Sequence, residues 1–203
     1  MKEKYYEGLL NINTMGEQSW DETKKCYHPY EPTPYFALDK LFENYDIDET
    51  DSVIDFGCGK GRLNFYLNYN YKCNVLGIEM DENFYNECIK NKKDYLINNK
   101  REDNKINFLC TLAQEYKIHD IDNKFYFFNP FSVQIFMKVV DNILISFENN
   151  PRKIHIILYY PSDDYIYYLE NCTPFIQVKE VRLENLYKSD NQERFLVYEL
   201  SYY

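Results

Sequence analysis

Asp55, the glycines at positions 57, 59 and 61, and Glu79 are the residues of this chain whose types and spacing could do chemistry. They fall in Val53-Ile54-Asp55-Phe56-Gly57-Cys58-Gly59-Lys60-Gly61-Arg62, which an apolar run enters and the amphipathic Leu63-Asn64-Phe65-Tyr66-Leu67 leaves. That order predicts a strand, a tight turn and the start of a helix. Alternating glycines let the turn take positive φ and let a ligand lie against bare backbone. A helix start also aims N–H groups at whatever sits there. Further on, the apolar run Val75-Leu76-Gly77-Ile78 ends in Glu79. A carboxylate at that strand tip suits a bidentate hydrogen bond to a ribose diol. These features predict a nucleoside site on an α/β sheet.

A dinucleotide fingerprint fits poorly. G-x-G-x-x-G counted from Gly57 puts its third glycine on Arg62, where a pyrophosphate needs close approach. Asp55 would repel a phosphate and suits a ligand with a cationic end instead. The run D-x-G-C-G-x-G with Glu79 resembles motif I and the acidic strand end of class I S-adenosylmethionine-dependent methyltransferases. Their ligand carries an ammonium, a sulfonium and a ribose, and no phosphate. The alternative at this point is a glycine-rich turn of another doubly wound protein.

The resemblance implies roles for particular residues. Asp55 would lie near the methionine ammonium, directly or through water. Gly57, Cys58 and Gly59 would pass under the methionine, Glu79 would take the ribose hydroxyls, and Met80 would flank adenine or simply pack. Cys110-Thr111-Leu112-Ala113-Gln114-Glu115 stands in the place of the family's adenine loop. Ala113 and Glu115 fit that pattern, while Leu112 occupies a position where an adenine-reading Asp is common. Tyr30-Glu31-Pro32-Thr33-Pro34-Tyr35 stands where the family has a lid, with Thr33 or Tyr35 against the methionine carboxylate; a rigid packing segment is the alternative. Asn129-Pro130-Phe131 resembles the Asn/Asp-Pro-Pro-Tyr/Phe motif of amino-group methyltransferases, with one proline instead of two. The competing reading is a strand-ending turn with a core Phe.

The elements that must position these groups follow from periodicity. Phe36 to Tyr45 reads as a helix, and Asp81 as the cap of a helix to about Ile97. Ile106–Leu109, Phe125–Phe128 and Lys153–Tyr160 read as strands, Ser132–Phe147 and Asp163–Glu170 as helices. Phe175–Leu186 and Arg194–Ser201 alternate as an antiparallel hairpin. Residues 1–35 lack clear periodicity, and Pro29, Pro32 and Pro34 stiffen their end. The expected fold is α/β, a doubly wound, mostly parallel seven-stranded sheet with a C-terminal antiparallel hairpin. One domain is expected over 1–203, with 1–45 as lid or cap and 46–203 as a Rossmann-like core.

Composition bounds the function. The chain has 203 residues and a formal charge of −10, which argues against a general nucleic-acid surface. The stretch Lys90 to Arg101 reads as a solvated helix face. No apolar run reaches the roughly 18 residues of a membrane span. The six cysteines show no CxxC or metal spacing, as in a reduced cytoplasmic protein. His155 reads as structural; His28 is a general-base candidate or a surface residue, and no Ser-His-Asp set is evident. The leading reading is a methyltransferase using S-adenosyl-L-methionine on nitrogen or oxygen of a small molecule or protein side chain. A catalytically silent binding subunit and a nucleic-acid base methyltransferase are the alternatives.

Overall fold

The structure, a computed structural model, describes residues 2–16, 30–99 and 105–201. His28 and Trp20 lie outside the described residues. Two fully buried strands form the centre, β1 (Ser52–Phe56) and β4 (Lys124–Phe127), paired in parallel with Asp55 opposite Tyr126. Beyond β1 lie β2 (Asn74–Glu79) and β3 (Ile106–Cys110); beyond β4 lies β5 (Ile154–Tyr159), all parallel. The sheet closes with β7 (Arg194–Leu200), antiparallel to β5, and β6 (Ile176–Arg182) at the edge, giving the order β3-β2-β1-β4-β5-β7-β6. This is the expected seven-stranded sheet. Central parallel strands must be covered on both faces, which explains runs such as Ile154-His155-Ile156-Ile157-Leu158-Tyr159 that are apolar almost throughout.

Alternation along the strands sends side chains to two cores. Phe56, Phe125 and Phe127 pack with α5 (Val133–Asn149) and α6 (Asp163–Cys172). Val53, Tyr126 and Ile157 face α2 (Tyr35–Phe42) and α3 (Arg62–Tyr71). Against the other strands lies α4 (Glu82–Asn99), opened by Asp81, whose Oδ1 accepts from Asn83 N at 2.9 Å. The cap follows the expectation.

Two elements differ from the sequence reading. The aperiodic N-terminus contains α1 (Lys2–Leu10), whose buried face includes Glu7 beside Leu10. The strand expected over Phe175–Leu186 stops at Arg182. There the spacing of Leu183, Leu186 and Tyr187 is three to four residues, and Leu186 and Tyr187 N donate to Leu183 O at 2.8 and 2.9 Å, closing the short α7 (Glu184–Tyr187).

His155 sits near the N-terminal end of β5, at the opposite sheet edge from the glycine turn. Its Nδ1 meets the Tyr45 hydroxyl and its Nε2 lies 3.0 Å from Glu199, a packed structural role as expected. Among the described residues no helix is long and apolar enough to cross a membrane.

Candidate active site at the carboxyl edge of the sheet

The turn after β1 is fixed by contacts that only glycine permits. Gly57 takes φ +76°, and a Cβ there would come within 2.5 Å of Pro130 Cβ. Gly59 takes φ +55°, and a Cβ would meet Tyr30 Cε2 at 2.1 Å. So the exit of β4 and the segment carrying Tyr30 both close onto the glycine turn, which leaves backbone facing the space between them. That space is a cleft of about 960 Å³, partly continuous with solvent.

The second strand completes the turn. Glu79, buried at the tip of β2, accepts from Gly59 N at 2.9 Å and from Asp81 N at 2.8 Å. A carboxylate offers about four lone-pair positions, so both oxygens can still take hydroxyl donors from a ligand. Asp55 is buried at the cleft floor. With its amide oriented to satisfy both neighbours, Asn64 of α3 donates to Asp55 Oδ2 at 2.9 Å and accepts from Gly77 N at 3.1 Å. Beside Asp55 on the same sheet face is Tyr126, whose hydroxyl lies 2.8 Å from that of Thr33.

Burial, reinforced by the negative charge of Glu79, pushes the Asp55 carboxyl from 3.8 up to about 8. Glu79 is raised for the same first reason, burial, against the two N–H groups that hold its charged form. Among the described residues no cation is paired with Asp55. A ligand ammonium placed there would turn Asp55 into a carboxylate and release a proton near pH 7.

An acid raised on folding supports the fold fully below its unfolded value of 3.8, and that support is lost as pH rises through about 8. Asp55→Asn is therefore expected to melt above the parent protein at pH 8 without ligand, and close to it at pH 4, while losing affinity for S-adenosylhomocysteine. Thermal melts at the two pH values check this; a lower melting temperature at pH 8 contradicts it.

The segment from Tyr30 to Thr33 is held by an ion network centred on the buried Arg62. Arg62, the first residue of α3, reaches Glu3 at 2.6 Å and Glu7 at 3.5 Å, and donates through Nε to Thr14 Oγ1 at 2.8 Å. It also donates to the Thr33 carbonyl at 3.2 Å. Tyr30 donates to Thr14 O at 2.6 Å, and its ring lies 4.9 Å from that of Phe84. Arg62 thus excludes a pyrophosphate in a way the glycine count alone could not show: its charge is committed to α1.

The cleft gathers Thr33, Asp55, Gly57, Cys58, Gly59 and Glu79 from the expected set, and also Met80 and Ala113. Pro130 and Phe131 line its other end. Three expected residues fall elsewhere. Tyr35 turns into the N-terminal network, its hydroxyl donating to Glu7 at 2.9 Å under the Arg62 guanidinium. Leu112 supplies the entry to the short helical turn Ala113–Glu115, and its carbonyl accepts from Glu115 N at 3.0 Å. Asn129 takes φ +39° and turns the chain without forming the cleft wall. Phe131 is itself 2% exposed, its ring packed edge-to-face with Phe127. Phe84, Tyr126 and Phe128 line the cleft without having been singled out, and Tyr30 and Arg62 line it without having been expected among the binding residues. For Tyr126 and Phe128 a signal existed, since period-two alternation puts both on the face of Asp55.

A glycine turn of positive φ, a buried acid short of a cation and a strand-tip carboxylate with lone pairs to spare fit S-adenosylmethionine group by group. Fold and site define a class I S-adenosylmethionine-dependent methyltransferase. Residues 35–157, more than half of the chain, match the family described as "Methyltransferase domain", and the chain belongs to that family. No curated protein sequence matches it. Among solved structures it is similar to an RNA methyltransferase from Salinibacter ruber in complex with S-adenosyl-L-homocysteine, at 19% identity and TM-score 0.61 over 85% of this chain and 95% of that one. It is also similar to YjhP from E. coli, at 11% identity and TM-score 0.59 over 85% and 94%. A third similar structure is the human methyltransferase 10 domain containing protein, at 10% identity and TM-score 0.58 over 98% and 94%.

Proposed function

We propose that the protein transfers a methyl group from S-adenosylmethionine to nitrogen or oxygen of a small molecule or protein side chain. The observation that supports this reading is that the glycine turn, Asp55 and Glu79 line the same cleft as Pro130 and Phe131 at the exit of β4. At the glycine turn, Asp55 takes the methionine ammonium, the backbone of Gly57, Cys58 and Gly59 lies under the methionine, and Glu79 takes the ribose. Met80, Phe84 and Ala113 flank adenine, and Thr33 closes the lid over the methionine end. At the exit of β4, Pro130 and Phe131 form the wall against which the acceptor lies, and Asn129 sets the direction of that wall.

The cofactor supplies an electrophilic methyl group; the chain's part is to hold the acceptor in line with it and to keep water out. Such positioning is worth several orders of magnitude in rate, so the transfer in this reading does not depend on a general base. Residues 1–45 act as lid and 46–203 as core in this reading. A reduced compartment such as the cytoplasm suits the free thiols of Cys58, Cys73 and Cys88.

Nucleobase methylation is the second reading, favoured by the RNA methyltransferase among the similar structures. The lining of the cleft speaks against it: Glu31, Asp55, Glu79 and Asp81 face one cation, Arg62, already paired with Glu3 and Glu7. The test is transfer of radiolabelled methyl from the cofactor into a fractionated cell extract. Label in the small-molecule or protein fraction is expected. Label confined to nucleic acid would establish the second reading, and cofactor binding without any labelled product would make the chain a silent binding subunit.

A further inference from the structure

We propose that Asn64, buried on α3, is the positioning residue for the ammonium end of the cofactor: it holds one oxygen of Asp55 and so gives the other to the ligand. The inference deepens the methyl-transfer reading, on which it rests, by naming what aims the acid at the cleft. Asn64 lies in the first turn of α3, where every residue from Arg62 to Asn68 is buried, and it is itself 0% exposed. Asparagine is a poor helix former. Fully buried, its amide needs partners at both ends.

Those partners lie on two neighbouring strands. Asp55 of β1 and Gly77 of β2 are opposite each other in the parallel register. The Asn64 amide spans them, accepting from Gly77 N at 3.1 Å and donating to Asp55 Oδ2 at 2.9 Å. Gly77 fixes the direction of that bridge. A backbone N–H can only donate, so it draws the amide oxygen and turns the NH2 group towards Asp55. The reverse orientation would set N–H against N–H and oxygen against carboxylate. Gly77 is held in place by neighbours that close over it. A Cβ there would meet Cys58 Sγ at 2.6 Å and Phe108 Cδ1 at 2.7 Å.

The bridge assigns the two oxygens of the acid. Oδ2 accepts from Asn64 in either protonation state, so the proton of the free acid sits on Oδ1. An ammonium arriving at Oδ1 takes the place of that proton, which leaves to solvent, and no other bond changes. Asn64 also favours the carboxylate, because a donated N–H stabilises the charged form. It works against burial and the charge of Glu79 on β2, which together push the carboxyl up to about 8. Asp55 interacts electrostatically with Cys58 of the turn and Tyr126 of β4 as well. Glu31, Asp81 and Arg62 line the same cleft, Arg62 with its guanidinium on Glu3 and Glu7. What Asn64 adds to these charges is direction.

The test is the affinity of the full chain for S-adenosylhomocysteine, titrated at pH 6.5 and at pH 9. Asn64→Leu keeps the shape of the side chain and removes the donor to Asp55. Its loss should raise the acid by about one unit, a tenfold change in its ionisation. Affinity is then expected to fall about tenfold at pH 6.5 and only about twofold at pH 9, where the parent acid is mostly ionised and the variant acid half so. The ligand amine titrates equally in both proteins, so the difference between them belongs to Asp55. In the Asp55→Asn background the same substitution should cost little further affinity, a coupling that the double-mutant cycle reads. Asn64→Ser, too short to reach both partners, gives the same readings if the leucine variant folds poorly. No loss, a loss of equal size at both pH values, or one that persists in full beside Asp55→Asn overturns the positioning role alone. Failure of the parent protein to bind S-adenosylhomocysteine would instead remove the methyl-transfer reading beneath it.

Discussion

Replacing Arg62 with Met is expected to destabilise the protein by about 3–5 kcal/mol, the usual cost of removing one partner from a buried ion pair. The side chain of Glu7 is 7% exposed and would be left buried beside two hydroxyls, Tyr35 and Thr14, without its one cationic partner among the described residues. The same substitution frees the Thr33 carbonyl and the Thr14 hydroxyl, two points that tie the N-terminal segments to α3. Cofactor affinity should therefore fall as well, because ordering the lid becomes part of binding. Chemical denaturation measures the first effect and titration with S-adenosylhomocysteine the second. Glu7→Gln, which needs no cation, should restore much of the lost stability in the double variant, a coupling that a mutant cycle reads directly. An unchanged denaturation midpoint for Arg62→Met would mean the network is a surface feature.

Glu79→Ala carries the next largest effect. Two charge-assisted bonds to the ribose, each worth roughly 1.5–3 kcal/mol, disappear together with the clamp on Gly59 N and Asp81 N. The dissociation constant for S-adenosylhomocysteine should rise at least about tenfold, equivalent to 1.4 kcal/mol. Removing Glu79 also takes away a charge that lifts Asp55, so proton release on binding should shrink in this variant. Glu79→Gln separates the two roles, since its amide oxygen can keep one N–H of the turn. An unchanged dissociation constant in both variants would place the ribose elsewhere.

What could be read from the sequence was local. An apolar run, alternating glycines and an acid at the next strand tip each act over a few residues, so β1, the turn, β2 and the presence of Asp55 and Glu79 in one cleft were legible. Parallel strands buried on both faces read as apolar runs, and the hairpin as alternation, so the sheet was legible too. Helix α1 was not, because it docks through Glu3 and Glu7 onto Arg62, nearly sixty residues away; hydrophobic period cannot reveal a helix held by buried charge. Tyr35 was misplaced for the same cause, its hydroxyl being claimed by Glu7. Phe131 and Phe128 exchange emphasis because strand parity decides which ring faces the cleft. Phe131 follows a left-handed turn at Asn129 and packs on Phe127, whereas Phe128 keeps the parity of Asp55 and Tyr126.

Calorimetric titration with S-adenosylhomocysteine at pH 7, repeated in buffers of different ionisation enthalpy, tests the central claim most directly. The site described here predicts one ligand per chain, bound with proton release as the Asp55 carboxyl, held near 8 in the free protein, gives up its proton to face the ligand ammonium. Absence of binding at millimolar ligand would contradict the cofactor site, and binding with no change in bound protons would contradict the place given to Asp55 within it.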